Sequence, residues 1–176
     1  LNNENFSILK TMSYDSGRYD KLQLATVPVP KPGPGEVLCR IKSVAICGSD
    51  PKMIHALRLD KLAAVYPYHG HEWAGQIVAL GEGVNDFKVG DRVAGEAPLL
   101  RQVRQLQEGH YTVCLNYGKD GHDGGLDMGH RHYGFYWQGA NAEYNVYKTS
   151  ALHIIPDNVS YDVAAMTDSP VLRSTA

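Results

Sequence analysis

The chain has 176 residues, with 17 Lys and Arg against 19 Asp and Glu and a formal net charge of −2. That balance offers no electrostatic grip on nucleic acid or on an anionic membrane. A composition of 43% hydrophobic and 20% charged residues is that of a folded globular chain, and no apolar run approaches the roughly 18 residues a spanning helix requires. A chain of this length is expected to form one domain with a substantial core.

Residues 1–21 read as a loosely specified polar leader that accommodates an early strand. The leader lacks a charged-then-apolar signal layout. It also lacks an initiator Met, which points to a trimmed or engineered start. Val27 to Gly35 carries prolines at 28, 30, 32 and 34, which predicts an extended connector outside any ladder. From Glu36 the residues alternate, Val37, Cys39 and Ile41 on one face and Arg40 and Lys42 on the other, predicting a half-buried strand that runs towards Cys47. A short helix is expected over residues 51–64, with Asp50 as its N-cap and Pro51 in the first helical position.

Trp73 to Leu80 predicts another strand, ended by Gly81-Glu82-Gly83, and Val89 to Val93 a turn entering a further short strand. Between Gly95 and Gly139 the pattern breaks down. Residues 102–108 suit a helical turn, and 118–134 form a Gly-, His- and Asp-rich loop. Strands return at Ala142–Val146 and at Ala151–Ile155, where Pro156 stops the second. With 18 Gly and 9 Pro as punctuation and no repeat, the fold class is mainly β, a barrel or sandwich with short helices and one long irregular loop.

The three cysteines, Cys39, Cys47 and Cys114, cannot all pair, and none stand in a Cys-x-x-Cys spacing. That argues for a reducing, cytoplasmic setting and for cysteine as core filler or metal ligand. The densest set of potential ligands is Cys47-Gly48-Ser49-Asp50 with Gly70-His71-Glu72. Zinc takes thiolate, imidazole and carboxylate ligands, and a catalytic site uses three of them and keeps one position open. Cys47 ends one strand and His71 begins another, so neighbouring strands could carry both to one rim. On these residues alone the alternative stands open: a buried free thiol and a hydrogen-bonded core histidine.

Five words occur in order: Gly33-Pro34-Gly35-Glu36-Val37-Leu38, Ile46-Cys47-Gly48-Ser49-Asp50, Gly70-His71-Glu72-Trp73-Ala74-Gly75, Val89-Gly90-Asp91-Arg92-Val93 and Ala142-Glu143-Tyr144. The series resembles the zinc-dependent medium-chain alcohol and polyol dehydrogenases and covers roughly Leu22 to Pro170. The resemblance implies a GroES-like, partly open β-barrel. It divides the chain into a leader (1–21), the catalytic domain (22–168) and the start of an interdomain segment (169–176).

The same resemblance implies site roles. Cys47 and His71 would ligate a catalytic zinc, and Glu72 would do so directly, through water or transiently. Asp168 matches the third ligand in members that use a carboxylate there; its alternative is a surface or capping aspartate. Asp50 matches the carboxylate that orients the histidine, alongside its N-cap reading. Ser49 matches the hydroxyl that takes the substrate proton, or else is only a helix-entry serine.

The chain departs from that family in two ways. Many members bind a structural zinc through four cysteines, but counting back from Cys114 meets Leu106, Val103 and Leu100. One catalytic zinc and no structural zinc are therefore expected. The Rossmann domain is expected to lie outside this chain, because the nearest Gly-x-Gly match, Gly81-Glu82-Gly83, lacks the third glycine and leads into β structure.

Taken together, the chain reads as the N-terminal piece of an oxidoreductase that transfers hydride from a small alcohol or polyol to NAD or NADP. The full-length protein is expected to be a homo-oligomer, and this piece is expected to be inactive alone. The alternatives are a non-catalytic GroES-like binding module and a zinc-free quinone reductase-like relative. His69, His122, His130 and His132 are read as incidental, and Tyr133, Tyr136 and Trp137 as polyol contacts or packing.

Overall fold

The computed structural model describes residues 5–12, 21–51, 69–96, 133–134 and 137–167. Two antiparallel strands, β1 (Asn5–Met12) and β2 (Lys21–Pro28), pair along their whole length, from Asn5↔Pro28 to Met12↔Lys21. This corrects the proline-connector reading at its start, because Val27 and Pro28 form rungs of β2 opposite Phe6 and Asn5. Pro28 is tolerated there because it ends a strand of a two-stranded ribbon, where a missing N–H breaks no interior ladder.

The main sheet has five antiparallel strands in the order β6-β3-β4-β5-β7. They are β3 (Glu36–Ala45), β4 (Glu72–Leu80), β5 (Arg92–Gly95), β6 (Tyr144–Lys148) and β7 (Leu152–Ile154). β6 begins two residues later than its alternation suggested, and β7 follows a 3₁₀ turn at Thr149–Ala151. The alternation in β3 holds at Cys39, Arg40 and Lys42, but Leu38 is buried as well, so the strand's first half is covered on both faces. Register shifts after Leu38 and Ile41 are bulges, which bend the strand and increase its twist. Among the described residues the two outer strands do not pair with each other, which leaves the sheet open and matches the mainly β, partly open architecture.

The core lies on one face of this sheet. Trp73 and Tyr147 stack at 4.0 Å, Tyr133 tilts against Tyr147 at 4.7 Å, and Val37, Cys39, Ile77 and Val93 complete the cluster. Of the two readings of Tyr133, polyol contact or packing, its place is the core, and its hydroxyl accepts the Lys148 amide at 2.9 Å. A second small cluster of Ala74, Ile155, Ala164 and Ala165 seats a short helix, α1 (Tyr161–Ala165), which strand patterning does not reveal. Its sequence signal is Ser160, whose Oγ accepts the Val163 amide as an N-cap.

Gly81-Glu82-Gly83 turns β4 towards the antiparallel β5 and is tied to the 33–36 turn by bonds from Gly81 to Glu36 and from Gly35 to Glu82. The described residues 84–96 that follow it carry β5 and no helix, so it is not a dinucleotide turn. Residues 102–108, Cys114, His122, His130, His132, Tyr136 and Asp168 lie outside the described residues, as does the helix expected beyond Pro51. Among the described residues no helix is long and apolar enough to cross a membrane.

Candidate metal centre

The β3–β4 ladder closes on the rung Ala45↔Glu72. Two residues beyond Ala45 stands Cys47, and immediately before Glu72 stands His71. Antiparallel pairing therefore delivers both to one rim of the sheet, with Glu72 as the first residue of β4. A sulfur, a ring nitrogen and a carboxylate oxygen from Cys47, His71 and Glu72 all lie within 4.8 Å of one another. Cys47 and His71 are half-buried, whereas Glu72 is only 6% exposed.

Helical backbone begins at residue 49, so Asp50 falls inside the first turn and not before it, which corrects its reading as N-cap. Its carboxylate reaches backwards. Oδ2 accepts the Cys47 amide at 2.8 Å, and Oδ1 lies 3.5 Å from His71 Nδ1. Asp50 is 7% exposed, so this contact is shielded from solvent. The other ring nitrogen, Nε2, lies 3.4 Å from Ser49 Oγ. One short segment thus supplies a sulfur, the group beside the histidine's Nδ1 and a hydroxyl beside its Nε2.

His69 is not part of this group. Residues 69–71 precede the strand, so His69 and His71 do not share a strand face, and His69 Nδ1 sits 3.3 Å from the Gly134 carbonyl. Burial lowers the His69 pKa, with the neighbouring His71 acting the same way, while the Gly134 carbonyl and Asp50 oppose the shift. Cys39 is a core thiol held neutral by burial, which pushes its pKa far up. Asn145, 3% exposed on β6, is not marked out by sequence pattern. Its signal is a lone amide within an otherwise apolar and aromatic stretch.

The donor set fits zinc. Thiolate, imidazole and carboxylate are its three preferred ligand types, and one of each stands here within 4.8 Å of the others. The profile of the alcohol dehydrogenase GroES-like domain matches residues 33–157. The chain belongs to that family. It therefore falls within the medium-chain dehydrogenase superfamily.

An L-threonine 3-dehydrogenase of Francisella tularensis subsp. novicida is 36% identical over 146 residues, covering 80% of this chain and 37% of the relative. The chain thus spans a little over a third of the length of the curated relatives it matches. Among solved structures, acetophenone reductase from Geotrichum candidum in complex with NAD superposes with a TM-score of 0.68 at 27% identity, over 94% of this chain and 44% of that one. The cobalt- and zinc-bound thermostable alcohol dehydrogenase from Pyrobaculum aerophilum does so with a TM-score of 0.67 at 25% identity, over 92% and 44%. Within this GroES-like chain the Cys47, His71 and Glu72 rim is the one grouping of three such donors among the described residues.

Proposed function

We propose that the protein carrying this chain is a cytoplasmic, homo-oligomeric, zinc-dependent dehydrogenase that oxidises a hydroxyl of a small alcohol or polyol to a carbonyl with NAD or NADP. Cys47, His71 and Glu72 hold the metal, and Asp168, outside the described residues, adds a further carboxylate. The observation that carries this reading is the convergence of thiol, imidazole and carboxylate within 4.8 Å. The NAD named for the Geotrichum reductase and the metals named for the Pyrobaculum dehydrogenase support the cofactors.

Zinc, when bound, supplies Lewis acidity that lowers the pKa of a hydroxyl, the effect that takes bound water from about 15.7 to near 7 in carbonic anhydrase. Asp50 Oδ1, 3.5 Å from His71 Nδ1, would favour the ring tautomer that carries its proton there and raise the basicity of the other nitrogen as a ligand. Ser49 takes the proton of the substrate hydroxyl and passes it outwards. Support for that role is its oxygen's distance of 3.4 Å from His71 Nε2. NAD or NADP, when bound, would supply the acceptor for the hydride that the substrate's carbon gives up. The threonine dehydrogenase relatives favour a secondary alcohol as substrate.

Two measurements test this reading. Elemental analysis of protein purified without chelators should find about one zinc per chain, lost in Cys47→Ala and His71→Ala. The complete protein should reduce NAD or NADP in the presence of L-threonine or a short polyol, whereas the 176-residue piece should not. Absence of both metal and turnover in the complete protein overturns the reading, and clear turnover by the piece alone overturns the division of labour.

A further inference from the structure

Asn145 uses its whole amide. Its Nδ2 donates to two carbonyls, Gln138 O and Gly139 O, each at 2.9 Å, and its Oδ1 accepts the Val146 amide at 2.8 Å. A buried amide is costly unless so satisfied, and an apolar residue on a buried strand would avoid that cost. The two carbonyls belong to the turn that enters β6, and that turn rests on the backbone leading into His71. Ala140 donates to Gly70 O and Asn141 to His69 O, both at 2.8 Å. A side chain on Gly139 would bring its Cβ to 2.2 Å from His69 O, so the approach is open only to glycine.

An unbroken series of contacts therefore runs from Asn145 through Gly139 to His69 and Gly70, and from there along the chain to His71 and Glu72. Neither the Asn145 side chain nor the turn is among the grouped metal donors. We propose that Asn145 is a positioning residue for the metal centre, acting through residues 138–141 to aim His71. This inference rests on the metal reading above.

The probe is Co²⁺ alone, added to the protein carrying this chain. In wild type, a thiolate-to-cobalt charge-transfer band, absent in Cys47→Ser, tests the metal reading itself. Asn145→Leu should weaken cobalt binding by about 10-fold, in the range of losses at residues that orient ligands, and shift the d–d bands. It should also speed hydrogen exchange at the Ala140 and Asn141 amides. Asn145→Ser, whose short hydroxyl reaches neither carbonyl, serves if the leucine variant does not fold. Leu152→Ala, a core truncation on the opposite edge strand, controls for general destabilisation and should leave the cobalt spectrum unchanged. A folded Asn145 variant with wild-type affinity, spectrum and exchange overturns the inference alone. Absence of the charge-transfer band in wild type overturns the metal reading and this inference with it.

Discussion

Asp50 Oδ1 lies 3.5 Å from His71 Nδ1, while the same carboxylate's other oxygen holds the Cys47 amide at 2.8 Å. The group that stands beside the histidine thus also fixes the backbone that bears the thiol. Asp50→Asn keeps an acceptor for the Cys47 amide but removes the charge beside the imidazole, and Asp50→Ala removes both. Zinc affinity should fall by about 10–100-fold in the alanine variant and by less in the asparagine variant. Competition against a chromophoric chelator measures both, and equal affinities for all three proteins would remove Asp50 from the site.

The two described cysteines should differ in reactivity. Cys39 is fully buried with its pKa pushed far up, whereas Cys47 is half-buried at the rim. Iodoacetamide at pH 8 followed by peptide mapping should label Cys47 in metal-free protein and leave Cys39 unmodified until the protein unfolds. Cys39 also adds a pH term to stability. Unfolded, its thiol ionises near about 8.5, and folded it stays protonated. The native state therefore holds one more proton above that pH, and stability falls as pH rises beyond about 9. Urea titrations at pH 7.5 and 10 should show this loss to be smaller in Cys39→Ala than in wild type.

Gly95 pairs directly with Trp73 across β4 and β5, and a Cβ there would lie 2.3 Å from the indole Nε1. The indole cannot retreat, because its other side stacks on Tyr147. Gly95→Ala should therefore destabilise the fold by about 1–3 kcal/mol through overpacking. Urea unfolding followed by tryptophan fluorescence reads this, and an unchanged midpoint would show that the indole has room to shift.

Arg92 ties β5 to the segment entering α1. Its guanidinium donates to the carbonyls of Pro156, Asp157 and Val159 and lies 4.6 Å over the Tyr161 ring. Lysine keeps the charge but cannot span three carbonyls or stack as a plane. Arg92→Lys should cost about 1–2 kcal/mol, discounted for the partial exposure of the pair, and should raise amide exchange across residues 157–165. Exchange confined to wild-type rates would show that the segment is held by α1 packing alone.

Much of the candidate site was legible in the sequence, because residue type already carries its chemistry. Cys47, His71 and Glu72 are zinc-type donors wherever they stand, and each abuts a strand whose alternation or apolar run marks it. The strands β3, β4, β5 and β7 were legible for the same reason. Alternation says little about β2, where prolines mask a strand that tolerates them at its edge. It says nothing about α1, which is too short for a helical period to show, and only the cap at Ser160 marks it.

Residue chemistry by itself determined that this protein offers a thiol, an imidazole and carboxylates on a turn-rich β scaffold. Tertiary structure decided which of them meet. The rung Ala45↔Glu72 brings residues 47 and 71 to one rim, and a ladder shifted by one residue would turn alternate side chains to the opposite face. It also decided that Asp50 reaches back to Cys47 instead of capping forward, that His69 turns to Gly134, and that Tyr133 is core. The His69 outcome depends on backbone approach between segments 65 residues apart, and no local pattern encodes such a contact.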